Sequence, residues 1–183
     1  MSLPARAFWF LRHGETDWNA QGRSQGNVDI PLNQTGVAQA HAAAALLRGR
    51  GIASVVSSPL SRARDTAATV AAACGVASVA VQDDLREVSF GVHEGASMSG
   101  AWFAEWIAGG PAPERGESFA ALRLRACRAF TAALAHPAPV LVVAHGALFR
   151  ALRAEMGLAP DVRTANAQPL WCEPGTPWTL APA

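Results

Sequence analysis

Two five-residue runs in the chain carry no polar side chain, Ala7-Phe8-Trp9-Phe10-Leu11 and Val140-Leu141-Val142-Val143-Ala144. A strand with one face in water alternates apolar and polar residues. An unbroken apolar run of this length instead reads as a strand covered on both faces, as in a parallel sheet sandwiched between helices. Each run leads directly into a turn bearing histidine and glycine, Arg12-His13-Gly14 after the first and His145-Gly146 after the second.

The segments between these runs alternate in the same sense. Asn33 is suited to cap a helix through the Ala-rich stretch to Leu47, which Gly49 and Gly51 end. Ala53 to Val56 reads as a second buried strand. Ser58-Pro59 then supplies an N-cap serine and a first-turn proline for a helix ending at Gly75. Val76 to Val81 reads as an edge strand, Ser118 to Ala135 as an amphipathic helix, and Ala147 to Met156 as another helix. One last strand falls near Trp178 to Leu180. The pattern predicts an α/β fold, a three-layer sandwich with a mostly parallel central sheet flanked by helices. The whole chain, 1–183, reads as one domain, with an irregular, cap-like segment around 91–117.

Open sheets of this kind bind ligands beyond the carboxyl ends of their strands. That rule gathers Arg12, His13, Arg62 and His145 on one rim, with Gly14 and Gly146 allowing close backbone approach. Arginine forks and imidazole N–H groups suit a phosphate, and helix N-termini add to the attraction. A histidine can take the phosphoryl group covalently, and a carboxylic acid can protonate the leaving oxygen and then activate water. With arginine and imidazolium carrying the charge, no metal is needed. Spacing alone leaves open which histidine attacks, and which of Glu15, Glu87, Glu94 and Glu105 is the acid.

The stretch Leu11-Arg12-His13-Gly14-Glu15-Thr16-Asp17-Trp18-Asn19 resembles the signature of the histidine phosphatase superfamily, the phosphoglycerate mutase-like proteins. Gly22-Arg23 through Leu32, Ser57-Ser58-Pro59-Leu60-Ser61-Arg62-Ala63 and Val143-Ala144-His145-Gly146 are similar to three further segments of that family, in the same order. The resemblance implies a phosphoglycerate mutase-like fold with His13 as nucleophile. It places Arg12, Asn19, Arg62, His145 and Gly146 around the phosphate. Leu85-Arg86-Glu87-Val88-Ser89-Phe90-Gly91 is similar to the family's proton-donor segment, which selects Glu87. Arg23, Gln25 and Gly26 in the glycine loop are the candidates for shaping the substrate side, and Trp102 and Trp106, one helical turn apart, either join them or form a small core stripe. Two positions depart from the family pattern. His93 stands where tryptophan is usual, and Ala147 stands third after His145-Gly146, where glycine is frequent.

The implied activity is hydrolysis of a small-molecule phosphomonoester through a phosphohistidine, with neither cofactor nor metal. Mutases of the family tend to carry an insertion after the proton-donor segment, and here the space before Ser118 allows a short cap at most. Phosphoglycerate mutase-type transfer and α-ribazole phosphatase-like specificity are the alternatives. A non-catalytic phospholigand-binding protein fits less well, because His13, Arg12, Arg62, Glu87 and His145 are all present.

Charge and composition exclude other classes. The formal net charge is +1 and no basic run offers a nucleic-acid footprint. No apolar stretch is long enough to span a bilayer. Cys74, Cys127 and Cys172 are scattered and odd in number, which suggests reduced thiols in a cytoplasmic protein, not a disulfide framework or zinc site. Oligomeric state has no signature in the sequence.

Overall fold

The computed structural model describes residues 3–98 and 101–183. Ser99 and Gly100, within the expected cap segment, lie outside the described residues. A six-stranded sheet forms the middle layer. Its strands are β1 (Phe8–Arg12), β2 (Ser54–Ser57), β3 (Val79–Val81), β4 (Val140–Ala144), β5 (Leu170–Glu173) and β6 (Thr179–Pro182), in spatial order β3-β2-β4-β1-β5-β6. The first four of that order are parallel, and β5 and β6 complete the sheet in antiparallel fashion. Pairing of Arg12 with Ala144 and of Ser57 with Val143 brings the carboxyl ends of β1, β4 and β2 level.

The unbroken apolar runs have the reason expected. Along β1, Phe8 and Phe10 enter one core while Trp9 and Leu11 enter another on the opposite face. Along β4, Val140 and Val142 face the first core, and Leu141 and Val143 the second. The first core is covered by α5 (Phe119–Ala133) and α6 (Gly146–Glu155), the second by α2 (Gln34–Leu47) and α3 (Ser61–Cys74). Phe10 stacks on Phe149 of α6 with ring centroids 3.7 Å apart, fixing the helix that follows His145 against the strand that precedes His13. Truncating such a buried phenylalanine costs about 3–5 kcal/mol.

The two short helices are α1 (Asp17–Ala20) and α4 (Ala101–Ile107). A reciprocal capping box starts α1, in which Asn19 N donates to Thr16 Oγ1 and Thr16 N to Asn19 Oδ1. Asn33 caps α2 as expected, Ser118 caps α5, and Gly75 ends α3 in the left-handed conformation with φ 72°.

Ser58 is a correction. The helix begins at Ser61 with Leu60 as cap, because Ser58 is still held against β4, its N–H donating to the Val143 carbonyl at 3.1 Å. The strand at Leu170–Glu173 is a second correction. The proline-rich tail was expected to hold one strand and holds two. Among the described residues, no helix is long and apolar enough to cross a membrane.

Candidate active site

A cavity of about 300 Å³ opens where β1 and β4 end. Arg12, His13, Asn19, Arg62, Glu87 and Gly146 all line it. His145 adjoins it, with its ring centroid 5.2 Å from that of His13.

His13 is 2% exposed, and its Nδ1 lies 2.7 Å from the carbonyl oxygen of Gly14. A carbonyl only accepts, so Nδ1 carries the proton and Nε2 keeps its lone pair. Burial, with Arg62 and Arg12 adding repulsion, holds the His13 pKa well below its ordinary value. The neutral imidazole is therefore a nucleophile-ready form. Gly14 meets the start of α2 so closely that a Cβ there would lie 2.4 Å from the Gly36 carbonyl oxygen. Asn166, from the tail, donates through Nδ2 to the His13 carbonyl and to Asn19 Oδ1. The Asn19 side-chain oxygen is thus fully engaged and its NH₂ group is left for the cavity.

Arg62 spends its terminal nitrogens on the glycine loop, donating to the Val28 carbonyl at 2.9 Å and the Gly26 carbonyl at 2.8 Å. Arg12 donates to the Thr164 carbonyl at 2.8 Å. Burial pushes the Arg12 pKa down to about 10, against attraction from Glu87, so the guanidinium stays charged at neutral pH. Gly146 packs against this group, where an added Cβ would sit 3.3 Å from Arg12 Nε. His145 Nε2 lies 2.7 Å from Ser58 Oγ. Burial first, then Arg62 and His13, hold the His145 pKa well below the usual value. Three buried polar atoms here have no hydrogen-bond partner among the described residues: Arg12 Nε, Arg62 Nε and His145 Nδ1. Buried donors are seldom left unsatisfied, and their grouping marks a place for an anion.

Glu87 stands across the cavity at the N-terminus of α6. Its carboxylate accepts from the backbone N–H groups of Ala147 (3.0 Å), Leu148 (2.9 Å) and Val88 (3.0 Å). Of the other glutamates considered, Glu15 accepts from Asn33, and Glu94 accepts from the N–H groups of Asn27 and Phe90. Neither lines the cavity, nor does Glu105.

Arg23, Gln25 and Gly26 line the cavity, with the Arg23 guanidinium 4.3 Å from the centroid of the Trp18 ring. Trp102 and Trp106 do not line it, which favours the core stripe over the substrate wall. Trp106 is buried and donates through Nε1 to the Glu117 carbonyl, while Trp102 stacks on His93 with centroids 4.3 Å apart. Phe103, between them, faces the cavity with Phe90 and Met98. The departure at His93 is thus absorbed by an aromatic stack. Ala147 leaves its backbone N–H on Glu87 and presents only a methyl group.

Sequence reasoning missed Ser58 as a histidine partner, and missed Arg150, Arg163 and Thr164 in the lining. It also missed Arg125 of α5, which donates to the carbonyls of Asp84, Arg86 and Glu87 and pairs with Glu117 at 2.6 Å. Among the described residues, no group of three or more His, Cys, Asp or Glu side chains is placed to hold a metal ion.

A doubly covered sheet with paired histidines and arginines beyond its strand ends fits the histidine phosphatase superfamily. Residues 8–167 match the histidine phosphatase superfamily (branch 1), and the chain belongs to that family. The chain is similar to "Probable phosphoglycerate mutase GpmB" of Yersinia pestis (strain Pestoides F), at 37% identity over 148 residues, covering 75% of this chain and 68% of the relative. It also resembles the mycobacterial glucosyl-3-phosphoglycerate phosphatase solved with VO3, with TM-score 0.84 and 33% identity over 97% of this chain and 98% of that one. Phosphoserine phosphatase from Entamoeba histolytica, in complex with 3-phosphoglyceric acid, gives TM-score 0.78 and 25% identity over 91% and 89% of the two chains.

Proposed function

We propose that this chain is a phosphatase that hydrolyses small phosphomonoesters through a phosphohistidine at His13, without a metal ion. The observation that carries the reading is the set of unpartnered donors, Arg12 Nε, Arg62 Nε and His145 Nδ1, around a histidine whose Nε2 lone pair is free. A phosphoryl group seated there satisfies all three.

His13 Nε2 attacks phosphorus, a P–N bond forms, and the bond to the ester oxygen breaks. Glu87, in its carboxylic acid form, gives its proton to that oxygen. As carboxylate it then takes a proton from water, whose oxygen attacks phosphorus. The P–N bond breaks, releasing inorganic phosphate and neutral His13. Arg12 and Arg62 hold the equatorial oxygens throughout, with the Asn19 NH₂ group and the Gly146 end of α6 beside them. The incoming dianion brings His145 a counter-charge that opposes the effect of burial, so its imidazolium can share in that stabilisation.

Hydrolysis is favoured over phosphoryl return to the substrate by the short segment that follows Glu87. Its helix α4 packs its aromatic side chains on Phe90 and Phe119. Little chain is left to enclose a phosphoenzyme from water.

The test is turnover of p-nitrophenyl phosphate in the presence of a chelator, run beside 3-phosphoglycerate with its bisphosphate activator. Release of inorganic phosphate from both, unchanged by the chelator, is expected. Isomerisation of phosphoglycerate outpacing phosphate release would make the protein a mutase. Loss of turnover on metal removal would refute the metal-free mechanism.

A further inference from the structure

The segment 164–167, between α6 and β5, makes four contacts with three residues of the site. The Thr164 carbonyl accepts from Arg12 Nη1 at 2.8 Å, and the Ala167 N–H donates to the Arg12 carbonyl at 2.9 Å. Asn166 Nδ2 donates to the His13 carbonyl at 3.0 Å and to Asn19 Oδ1 at 3.1 Å. Ala167 is buried and holds φ 49°, a left-handed conformation uncommon for a residue with a Cβ. Backbone kept there against a local cost is imposed by its surroundings, and such positions gather at functional sites.

A side-chain amide can turn over and exchange its donors for its acceptor, so its partners must set its direction. Here two amides in series end on backbone groups whose polarity is fixed. The His13 carbonyl only accepts, which requires the Asn166 NH₂ group to face it. The Thr16 N–H only donates, and lies 3.3 Å from Asn19 Oδ1, which requires the Asn19 oxygen to face it. The second hydrogen of Asn166 then falls on that same oxygen. An inverted Asn19 would set its NH₂ group against two donors. The Thr16 bond is long for N–H to oxygen, so alone it holds the amide weakly. With its oxygen taken twice, Asn19 has only N–H groups to offer the cavity it lines, and a phosphate oxygen accepts from N–H.

We propose that Asn166 is a positioning residue for phosphate binding, holding Asn19 with its NH₂ group turned to the cavity while it anchors the carbonyl of His13. The proposal rests on the reading of the cavity at His13 as a phosphate site. Asn166 lies 153 residues from His13 and 147 from Asn19, so the tail completes a site whose other parts come from β1 and α1. It acts through Asn19 and needs no contact of its own with the ligand. Preorganised donors are worth more than donors that must be turned into place when the anion arrives.

The test is calorimetric binding of inorganic phosphate to the wild type, Asn166→Leu, Asn19→Ala and the double variant. Melting temperature and turnover of p-nitrophenyl phosphate are measured beside it. Leucine is close to asparagine in shape and has no donor. Asn166→Leu should raise the phosphate dissociation constant about tenfold, the worth of a hydrogen bond to a charged group. In the Asn19→Ala background the same substitution should change it by about twofold or less, because the side chain it positions is gone. Losses that multiply in the double variant would overturn the positioning role. So would a lowered melting temperature with phosphate affinity unchanged. Asn166→Ala gives the same comparison if the leucine variant does not fold. Coupled loss of phosphate binding without any turnover of p-nitrophenyl phosphate would sink the phosphatase reading and leave the role of Asn166 standing. A wild type that binds no phosphate would overturn both.

Discussion

Ser58 Oγ lies 2.7 Å from Nε2 of His145, and the same oxygen accepts the backbone N–H of Leu60 at 3.3 Å. The hydroxyl therefore ties the imidazole to the turn between β2 and α3, and leaves Nδ1 as the nitrogen of His145 available to a ligand. Ser58→Ala strips a fully buried nitrogen of its partner. It should lower stability by about 1–3 kcal/mol in urea denaturation. It should also lower kcat by about tenfold through a loosened ring. Loss of stability with kcat untouched would mean that packing alone orients His145.

Arg125 does for Glu87 what Ser58 does for His145. Its guanidinium takes both oxygens of Glu117 and the carbonyls of three residues in the segment that ends at Glu87. Arg125→Ala should free that segment and displace the carboxyl from the N–H groups of Ala147 and Leu148. Alkyl phosphates, whose leaving oxygen needs a proton, should then slow by about 100-fold, and p-nitrophenyl phosphate far less, in line with the usual worth of general acid catalysis. Arg125→Lys should recover part of the difference. Equal slowing of both substrates would reduce Arg125 to a fold-stabilising residue.

Both histidines are buried with pKa values well below the ordinary one, burial being the first cause in each case. The unfolded chain then binds protons that the folded chain refuses. Stability from this source is complete above the unfolded value of about 6.5 and is lost as pH falls below it. The slope reaches about 1.4 kcal/mol per pH unit for each histidine. Melting temperature should therefore fall between pH 6.5 and pH 5, and His145→Gln should flatten the dependence. Saturating inorganic phosphate should flatten it as well, since the anion favours the imidazolium form of His145. A melting temperature independent of pH in that window would show that the rings titrate freely.

The sheet was legible because β1 and β4 are buried on both faces and leave no ambiguity of pattern. The rim followed from it, since parallel strands must end side by side. Ser58 was misread because Ser-Pro ahead of an apolar run is also the usual mark of a helix start, and only tertiary pairing with β4 delays the helix to Ser61. The strand Leu170–Glu173 was missed because it is four residues long and set among prolines. It owes its place to pairing with β1, notably Trp171 beside Trp9. Trp102 and Trp106, one turn apart, signalled an aromatic face whose direction, core or substrate, their spacing leaves open. Arg150 gave no signal in the sequence, because its contacts with Pro160 and Phe103 are made by segments distant from each other along the chain.

The attack by His13 is tested most directly by brief incubation with ³²P-labelled substrate, a rapid quench, and measurement of protein-bound label. Wild-type protein should carry label that is stable in base and lost in acid, and Glu87→Ala should accumulate more of it with a good leaving group because water attack is slowed. His13→Ala should carry none. Label retained in full by His13→Ala, or acid-stable label in the wild type, would contradict the phosphohistidine account.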